Sequence, residues 1–459
     1  MRKPTELPLT HKRRGALRRV RQRLQGDPRR SHAVCVVRLT LILAAIGLLG
    51  FGAPAAAATA AVERWRPTEP PGPVFTAAAP NPFQLFNDYA TPERLFAAGR
   101  VVVHYVTLGI DAPPLNDDDA DQVPDYVERV GDAADTAITY FDRRRFAPIL
   151  ADTGGPDPRP DLYISRFTPG TFGVAFPAAE AEEGAFVVVS NALDPSSGES
   201  LGSLYGTVAH ELFHLVQFSY FAPSIDPAIP RWALEGSAAA MEQRVFAELD
   251  DIASTLQLRP WFRAPSRTIT SQSYGAQLLW RYLDERSPEL LGAYLSRLAA
   301  GETRNDGGAA FVATFMRVTG KQFAPTYLEF ATAVAAEYGG SIVPYRTLND
   351  RSTYRASVRP LAIHYTRLSS RRGRMPSRVA VTLPHGVATL HVALTYEWAS
   401  DVAGNPSDNR RVRPTVTAAG HTLHFTLPPA RSNARFRRPT LIIANGRPTG
   451  ALDYTVTTT

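Results

Sequence analysis

The chain has 459 residues, 44% of them hydrophobic and 20% charged, so it is long enough for more than one folded domain and too apolar for a disordered protein. Its formal net charge of +7 is concentrated at the start, because residues 1–38 carry 12 Lys and Arg against Glu6 and Asp27. The remainder is left at about −3, which argues against a nucleic-acid-binding surface. The single cysteine, Cys35, lies in the same basic segment, so we expect neither disulfides nor a thiol nucleophile beyond it.

Residues 1–57 are predicted to be a signal peptide. The basic stretch is followed by an apolar run over residues 39–51, and then by small residues that suit a signal-peptidase site near Ala57. An uncleaved membrane anchor is the alternative, because no charged residue occurs between Arg38 and Glu63. We therefore expect a secreted protein, attached to a membrane only if this leader is retained.

The next elements indicate a mixed domain over residues 99–345. Residues 58–98 are rich in proline and alanine and are expected to form a linker or a short pro-segment. A strand is expected from Val101 and a helix over residues 126–145. Further strands are predicted over 161–167, 173–176 and 185–190, and helices over 204–218, 232–249, 274–285, 290–298, 310–319 and 325–338. The helices from about residue 250 to 345 would form a helical subdomain.

The chain changes character near residue 354, where alternating apolar and polar runs separated by turn residues begin. Such runs cover residues 379–383, 389–394, 421–427 and 440–443. They predict an all-β domain of sandwich type over residues 354–459, which can bind a surface or a protein partner. The predicted fold class of the whole chain is therefore α+β.

The strongest functional motif is a His-Glu-x-x-His sequence formed by His210, Glu211 and His214. On a helix, residues four apart share a face, so both histidines can reach one metal ion. Glu211 lies on the adjacent edge, where it can accept a proton from a water at the metal. Burying three titratable groups on one helix is costly unless something binds them, which favours a zinc site over two core histidines and a surface glutamate.

A catalytic zinc site needs a third protein ligand and an open position. Glu235 follows the motif after a proline-containing loop and is followed at once by Gly236, which permits close approach of two helices. At this spacing we predict Glu235 as the third ligand, although an isolated glutamate in such a helix would be read as solvated.

The two segments together resemble those of the gluzincin metallopeptidases, whose third zinc ligand is a glutamate on the helix after the His-Glu-x-x-His helix. The stretch from Trp232 to Glu242 is similar to the Trp-x-x-Glu-Gly-x-Ala segment of that clan. The likeness is greatest to a group of secreted bacterial metalloproteases, over roughly residues 101–283 and the β-rich tail. This resemblance implies a zincin-like domain, bound Zn²⁺ and a peptide or protein substrate.

One departure from the clan narrows the expected activity. Its aminopeptidases carry a Gly-x-Met-Glu-Asn segment on the strand before the metal helix, and that glutamate holds the substrate amino terminus. The corresponding residues 184–191 contain no glutamate, which favours an endopeptidase. The same strand is expected to be a sheet edge to which an extended peptide can add.

The implied mechanism gives roles to further residues. Glu211 would take a proton from the attacking water and return it to the leaving amine. Tyr274 is predicted to donate a hydrogen bond to the oxyanion, because related enzymes place a tyrosine on a later helix; packing is the alternative. Glu242, two turns after Glu235, is either a partner of a zinc ligand or an exposed helix charge.

An acidic segment before the first helix has the spacing of an EF-hand calcium loop. Its ligands would be the side chains of five acidic residues and one backbone carbonyl, and the departure is Gln122 at position six, where glycine is usual. The alternative is a solvated acidic cluster at a helix N-terminus. The predicted Ca²⁺ ligands are Asp117, Asp119, Asp121, Val123 (carbonyl), Asp125 and Glu128.

The remaining histidines lie in strand-like contexts, and packing or surface roles are expected for each of them. They are His104, His364, His385, His391, His421 and His424. The sequence therefore predicts a secreted zinc endopeptidase. Two other functions stay open, namely an inactive gluzincin-like binding protein and a zinc hydrolase of non-peptide substrates.

Overall fold

The computed structural model describes residues 89–167, 171–176, 185–193, 201–221, 230–247, 252–301, 307–370, 375–383, 391–398, 408–416, 421–427 and 436–459. The predicted signal peptide with Cys35, the Pro/Ala-rich segment up to residue 88, and His385 lie outside these residues. Within the described ranges, helices and three five-stranded sheets form a mixed fold consistent with the α+β class. No helix in these ranges is both long and apolar enough to cross a membrane.

The first sheet contains β1 (Arg94–Ala98), β2 (Val101–Tyr105), β3 (Asp161–Ser165), β4 (Gly173–Phe176) and β5 (Phe186–Ser190). Its strand order is β1-β2-β3-β5-β4, with β2, β3 and β5 parallel and the two outer strands antiparallel to their neighbours. Successive side chains of a strand point to opposite faces, so alternate β-branched residues of the central strands fill one core. Among the residues that the structure describes, β4 is therefore an edge of this sheet.

The helices are amphipathic or fully buried according to their apolar spacing. In α1 (Asp125–Arg143), residues Val127, Val130, Ala134 and Ala137 recur at helical spacing and are buried in the core. In α2 (Leu201–Phe221), apolar residues surround the helix, so that it lies inside the protein. The remaining helices are α3 (Arg231–Val245), α4 (Ile252–Arg263), α5 (Gln277–Asp284), α6 (Leu290–Ala299), α7 (Gly307–Thr319) and α8 (Phe323–Tyr338).

Aromatic side chains anchor the start of α3, the helix that carries Glu235. The rings of Trp232 and Trp280 stack with their centroids 5.1 Å apart, and the Trp280 indole donates a hydrogen bond of 2.9 Å to the Trp232 carbonyl. Tyr294 and Phe311 pack against both rings. Large buried aromatic rings contribute strongly to packing, so this cluster holds α3 against the helical region that follows it.

The second and third sheets are formed by the C-terminal part of the chain, with strand orders β11-β10-β14-β8-β6 and β12-β13-β9-β15-β7. Both sheets contribute to one buried apolar cluster, which includes Val358, Val381, Leu394 and Val456. The strands are β6 (Arg346–Leu348), β7 (Thr353–Val358), β8 (Ala362–Leu368), β9 (Arg378–Thr382), β10 (Val392–Trp398), β11 (Asp408–Val412), β12 (Thr415–Val416), β13 (Thr422–Thr426), β14 (Phe436–Asn445) and β15 (Leu452–Thr458).

The second sheet packs on α8 and is hydrogen-bonded to it. The Tyr327 hydroxyl donates to the Leu361 carbonyl at 2.8 Å, and the Tyr365 hydroxyl donates to the Ala331 carbonyl at 3.0 Å. Leu361 also accepts a hydrogen bond of 2.8 Å from the Ile269 amide, shortly before Tyr274 in the chain. The C-terminal strands therefore support the segment that carries Tyr274.

Most predicted elements are confirmed with small changes of boundary, and three differences matter. Ordered structure begins before Val101, because residues 94–98, assigned by composition to the Pro/Ala-rich segment, pair with β2 as β1. The sequence does not predict α4, since Pro260 lies inside it and proline usually interrupts a helix. The predicted helix at 274–285 is a 3-10 turn, Tyr274–Ala276, followed by α5.

Candidate metal centre

Helix α2 places both motif histidines and the motif glutamate in the interior. His210, Glu211 and His214 each expose less than a tenth of their surface. The two imidazole rings lie one helical turn apart, with centroids separated by 4.8 Å. Buried histidines that meet across one turn can bind a single ion with little further adjustment.

Glu235 reaches the same point from α3. Its Oε2 lies 3.5 Å from His210 Nε2 and 3.8 Å from His214 Nε2. One donor atom from each of the three residues falls within 4.8 Å of the other two. Two nitrogens and one carboxylate oxygen are the donor set of a catalytic zinc site with three protein ligands.

The outer nitrogens of both imidazoles are held by buried side chains. His210 Nδ1 lies 2.6 Å from Glu242 Oε1, and His214 Nδ1 lies 2.6 Å from Gln217 Oε1. Each Nδ1 therefore carries a proton, so Nε2, the nitrogen nearer Glu235 in both rings, is the atom left to bind a metal ion. Metal-binding histidines ordinarily have such a partner on the other nitrogen, so the residues present fit a zinc ion.

The electrostatics of the cluster favour a positive charge between the three donors. Burial lowers the pKa of His210, but hydrogen bonds to Glu235 and Glu242 outweigh it and hold this pKa well above its ordinary value. Burial and the neighbouring His210 lower the pKa of His214 to about 4. Burial raises the pKa of Glu235, yet the two histidines bring it down to about 2, so the carboxylate stays ionised.

Glu211 is directed at β4. Burial raises the pKa of its carboxyl group to about 7, although the charge of His210 and a hydrogen bond from the Ala175 amide oppose the rise. A side chain at Gly173 would place its Cβ 2.8 Å from Glu211 Cγ, closer than such atoms approach. Glycine at 173 therefore lets the glutamate lie against the edge strand.

Tyr274 belongs to the same cluster. Its hydroxyl helps to lower the pKa of the Glu235 carboxyl group, and its ring stacks on His210 with centroids 5.8 Å apart. The close approach depends on Gly236, because a Cβ there would lie 2.9 Å from the Ser273 carbonyl oxygen. Burial and the charge of Glu235 raise the pKa of Tyr274 well above its ordinary value, so the hydroxyl remains a donor.

The prediction that the strand before the metal helix is a sheet edge is wrong. Residues 185–191 were the predicted site for an added peptide strand, but β5 is paired on both sides, with β3 and with β4. The edge is β4, which lies between β5 and the outside of the sheet and carries Gly173 and Ala175 beside Glu211. A peptide that adds to this sheet next to Glu211 must therefore pair with β4.

The acidic loop is assembled only in part. Carboxylate oxygens of Asp117, Asp119 and Asp121 lie within 4.8 Å of one another on a largely exposed loop. Asp125 Oδ1 accepts a hydrogen bond of 3.0 Å from the Asp118 amide, and its Oδ2 pairs with Arg129. The carboxylates of the other two predicted acidic ligands, Asp125 and Glu128, are not grouped with the three aspartates.

The loop backbone nevertheless has one feature of a calcium loop. Gln122, at position six, has a φ of +76°, which is the left-handed conformation that glycine usually supplies there. Two of the carboxylates are engaged by backbone amides, since Asp117 accepts from Asp121 and Gln122 and Asp121 accepts from Val123.

The other described histidines lie in different surroundings, some buried and some at the surface. His104 is buried between Glu93 and Asp161, at 2.8 and 3.0 Å, and stacks on Tyr163. His364 and His391 are also buried, whereas His424 is exposed.

Two residues of the site are not predicted from the sequence. Gln217 follows His214 by three positions, a helical spacing that could have indicated contact. Gly173 carries no signal of its own, since its role depends on the strand lying against α2.

Comparison with known proteins adds no assignment to this geometry. No protein-family model matches the chain, and no curated protein matches it.

Proposed function

We propose that the chain is a secreted zinc metallopeptidase of the gluzincin type, acting as an endopeptidase. The supporting observation is the cluster of the buried His210 and His214 with the partly buried Glu235, whose donor atoms lie within 4.8 Å of one another. In this proposal residues 99–345 form a zincin-like catalytic domain, with a helical subdomain from about residue 250 to 345. The second and third sheets would form a β-sandwich that binds a surface or a protein partner.

The proposed mechanism assigns the metal to His210, His214 and Glu235. When bound, zinc would supply a lowered pKa for the attacking water and an electrophile for the scissile carbonyl. Glu211 would take the proton of that water and return it to the leaving amine. The Ala175 amide and the space at Gly173 support this role, because they hold the glutamate at the edge of the sheet.

Tyr274 and β4 would act on the substrate. The Tyr274 hydroxyl is a neutral donor beside the proposed metal ligands, and we propose that it turns from Glu235 to the oxyanion of the transition state. The peptide would add to β4 by main-chain hydrogen bonds, which accepts many sequences and suits an endopeptidase. Residues 184–191 lack the glutamate that would hold a free amino terminus.

The test compares the wild-type chain without its leader with Glu211→Gln. We expect one zinc per chain in both, and a loss of peptide-library cleavage of roughly 10²- to 10⁴-fold in the variant. Glu329→Gln, an exposed change on α8, is the matched control and should cleave like the wild type. Peptides with blocked amino termini should remain substrates.

The other outcomes discriminate the alternatives. Equal cleavage by wild type and Glu211→Gln would contradict the mechanism. A wild type that binds zinc and cleaves no peptide, but hydrolyses esters or amides of another class, would be a non-peptide hydrolase. A protein that hydrolyses neither would be an inactive binding protein.

A second, structural ion is proposed for the acidic loop. The spacing of its carboxylates and the left-handed backbone at Gln122 support Ca²⁺, held by Asp117, Asp119 and Asp121 with closure of the loop onto Val123, Asp125 and Glu128. Its test is described below with that of the zinc site.

A further inference from the structure

The amide of Gln217 lies between the two helices that carry the proposed zinc ligands. The residue has no exposed surface. Its Oε1 meets His214 Nδ1 at 2.6 Å on α2, and its Nε2 meets the Leu234 carbonyl and Ser237 Oγ on α3, both at 2.9 Å. Leu234 and Ser237 lie on either side of Glu235 in the sequence of α3.

The acceptors decide which way the amide is turned. A carbonyl oxygen can only accept, so the atom facing Leu234 must be the donor nitrogen. Ser237 gives its own proton to the Ala233 carbonyl at 2.5 Å and therefore accepts from Gln217. Oxygen Oε1 must then face His214, whose Nδ1 donates to it.

This orientation of the Gln217 amide determines the tautomer of His214. A proton on Nδ1 leaves the lone pair on Nε2, and Nε2 is the atom that lies 3.8 Å from Glu235. No carboxylate at position 217 could do the same, because one of its oxygens would oppose the Leu234 carbonyl oxygen. The partner of His210, by contrast, is the carboxylate of Glu242, which only accepts.

We propose that Gln217 is a positioning residue that orients His214 Nε2 and aligns α3, so that His214 and Glu235 bind one metal ion. The inference rests on the proposed zinc site, but concerns metal binding rather than turnover. A residue that bonds His214 and positions on either side of Glu235 should influence metal affinity more than the stability of its helix.

The experiment measures zinc affinity at constant pH by competition with a chromophoric chelator. The expected loss for Gln217→Met, which keeps the length of the side chain but none of its three hydrogen bonds, is about 10- to 100-fold. For Gln217→Glu, which keeps an acceptor for His214 and loses both donors, the expected loss is intermediate. The matched control is Ser219→Ala, because among the described residues the Ser219 hydroxyl bonds to Leu215 of its own helix alone, and this variant should bind zinc as the wild type does.

A second measurement separates positioning from general stability. Cobalt replaces zinc and reports ligand geometry through its absorption spectrum, so Gln217→Glu should shift the Co²⁺ spectrum while Ser219→Ala leaves it unchanged. If Gln217→Met does not fold, Ser237→Ala tests the same network, since it removes one acceptor of the amide and should weaken zinc binding measurably.

The results that overturn the inference differ from those that overturn the proposed function. Gln217→Met and Gln217→Glu binding zinc within about twofold of the wild type, with unchanged Co²⁺ spectra, would remove Gln217 from the site. A wild type that binds no zinc would overturn the metal site itself. A wild type that binds zinc but cleaves nothing would overturn the peptidase and leave the role of Gln217 standing.

Discussion

The two candidate metal sites of this chain, the cluster on α2 and α3 and the exposed acidic loop, place their ligands in opposite surroundings. His210, His214 and Glu235 are packed inside, where each imidazole is held by a buried partner. Asp117, Asp119 and Asp121 lie on the surface, where backbone amides and water can satisfy them. Burying charged groups is costly without a compensating ligand, whereas exposing them is not, so the first cluster argues for an ion much more strongly.

The largest expected difference between the sites is the effect of removing the ion. At free zinc about a thousand times its dissociation constant, the ion should contribute about 4 kcal/mol to the free energy of unfolding. Calcium at one to ten times its dissociation constant should contribute only about 0.4 to 1.4 kcal/mol. Urea unfolding of chelated protein, with each ion added back separately, measures both values.

Variants assign each effect to its site. His214→Ala should abolish the response to zinc and keep the response to calcium, while Asp119→Asn should do the reverse. Equal stabilisation by both ions in wild type and variants would contradict the contrast between the buried and the exposed cluster.

A buried histidine outside both clusters allows a separate test of how burial affects protonation. His364 stacks on Tyr345 and bonds the Tyr454 hydroxyl at 2.7 Å, and burial, followed by the charge of Arg359, lowers its pKa to about 4. It is thus neutral in the native state, whereas the unfolded chain binds a proton below about pH 6.5. Stability should be complete above that pH and fall towards pH 4, by at most about 1.4 kcal/mol per pH unit and about 3 kcal/mol in all.

His364→Asn should flatten this dependence, measured as the free energy of unfolding between pH 7 and pH 4. His424→Gln, at an exposed position on β13, should keep the wild-type slope. Because the ligands of both clusters are unchanged in either variant, loss of metal in acid affects the two variants equally. An unaltered slope in His364→Asn would show that burial there does not determine protonation.

Of the two candidate metal sites, the buried one also involves a close contact between β4 and α2. Gly173→Ala would bring a Cβ to 2.8 Å from both Glu211 Cγ and Thr207 Cγ2, so Glu211 must move. Small displacements of a catalytic group are costly, and we expect kcat to fall by about 10- to 100-fold with zinc content unchanged. Steady-state peptide hydrolysis measures the loss.

Gly292→Ala is the control for that substitution, since its Cβ would meet only the end of the Tyr220 side chain, at 3.0 Å, and a ring atom of Phe146. It should retain wild-type kcat. Wild-type activity in Gly173→Ala would mean that Glu211 does not depend on the edge strand.

The smallest expected effect concerns the exposed loop. Replacing Gln122 by glycine removes the strain of a left-handed residue, about 1 kcal/mol, from the folded state. Part of this gain is lost, because glycine increases the conformational entropy of the unfolded chain. The net gain should be about 0.5 kcal/mol, and calcium affinity by isothermal titration should rise about twofold. Arg351→Gly, at another positive φ of 57°, should affect stability without affecting calcium binding. A weaker affinity in Gln122→Gly would argue against a calcium loop.

Prediction from sequence succeeds where a pattern is local. Apolar residues at helical spacing indicate α1, α2 and α3 within a few residues, because such patterns depend only on which side of the helix is buried. Prediction fails at β1 and α4, where a composition rich in proline, or Pro260 itself, suggests irregular structure. Strand pairing with β2 makes residues 94–98 a strand whatever their local composition.

The candidate site likewise has features that local sequence predicts and features that depend on packing. His210, Glu211 and His214 share one helix, and Glu235 follows within one loop, so the donor set is readable from spacing alone. The position of Tyr274 beside Glu235 depends on Gly236 and on the C-terminal strands behind residue 269, which are distant in sequence. The acidic loop shows the converse, since its spacing is regular but its ligands are only partly brought together.

By itself, the sequence determined the α+β character of the chain and the residue types of the proposed metal centre, because helical periodicity and ligand spacing are properties of neighbouring residues. Only the tertiary structure decided that β4 rather than β5 is the free edge, that Gly173 admits Glu211, and that Gln217 and Glu242 hold the outer nitrogens of the histidines. These features arise where separate elements pack together. The direction of a lone pair and the pKa of a buried carboxyl group depend on atoms that only packing brings within hydrogen-bonding distance.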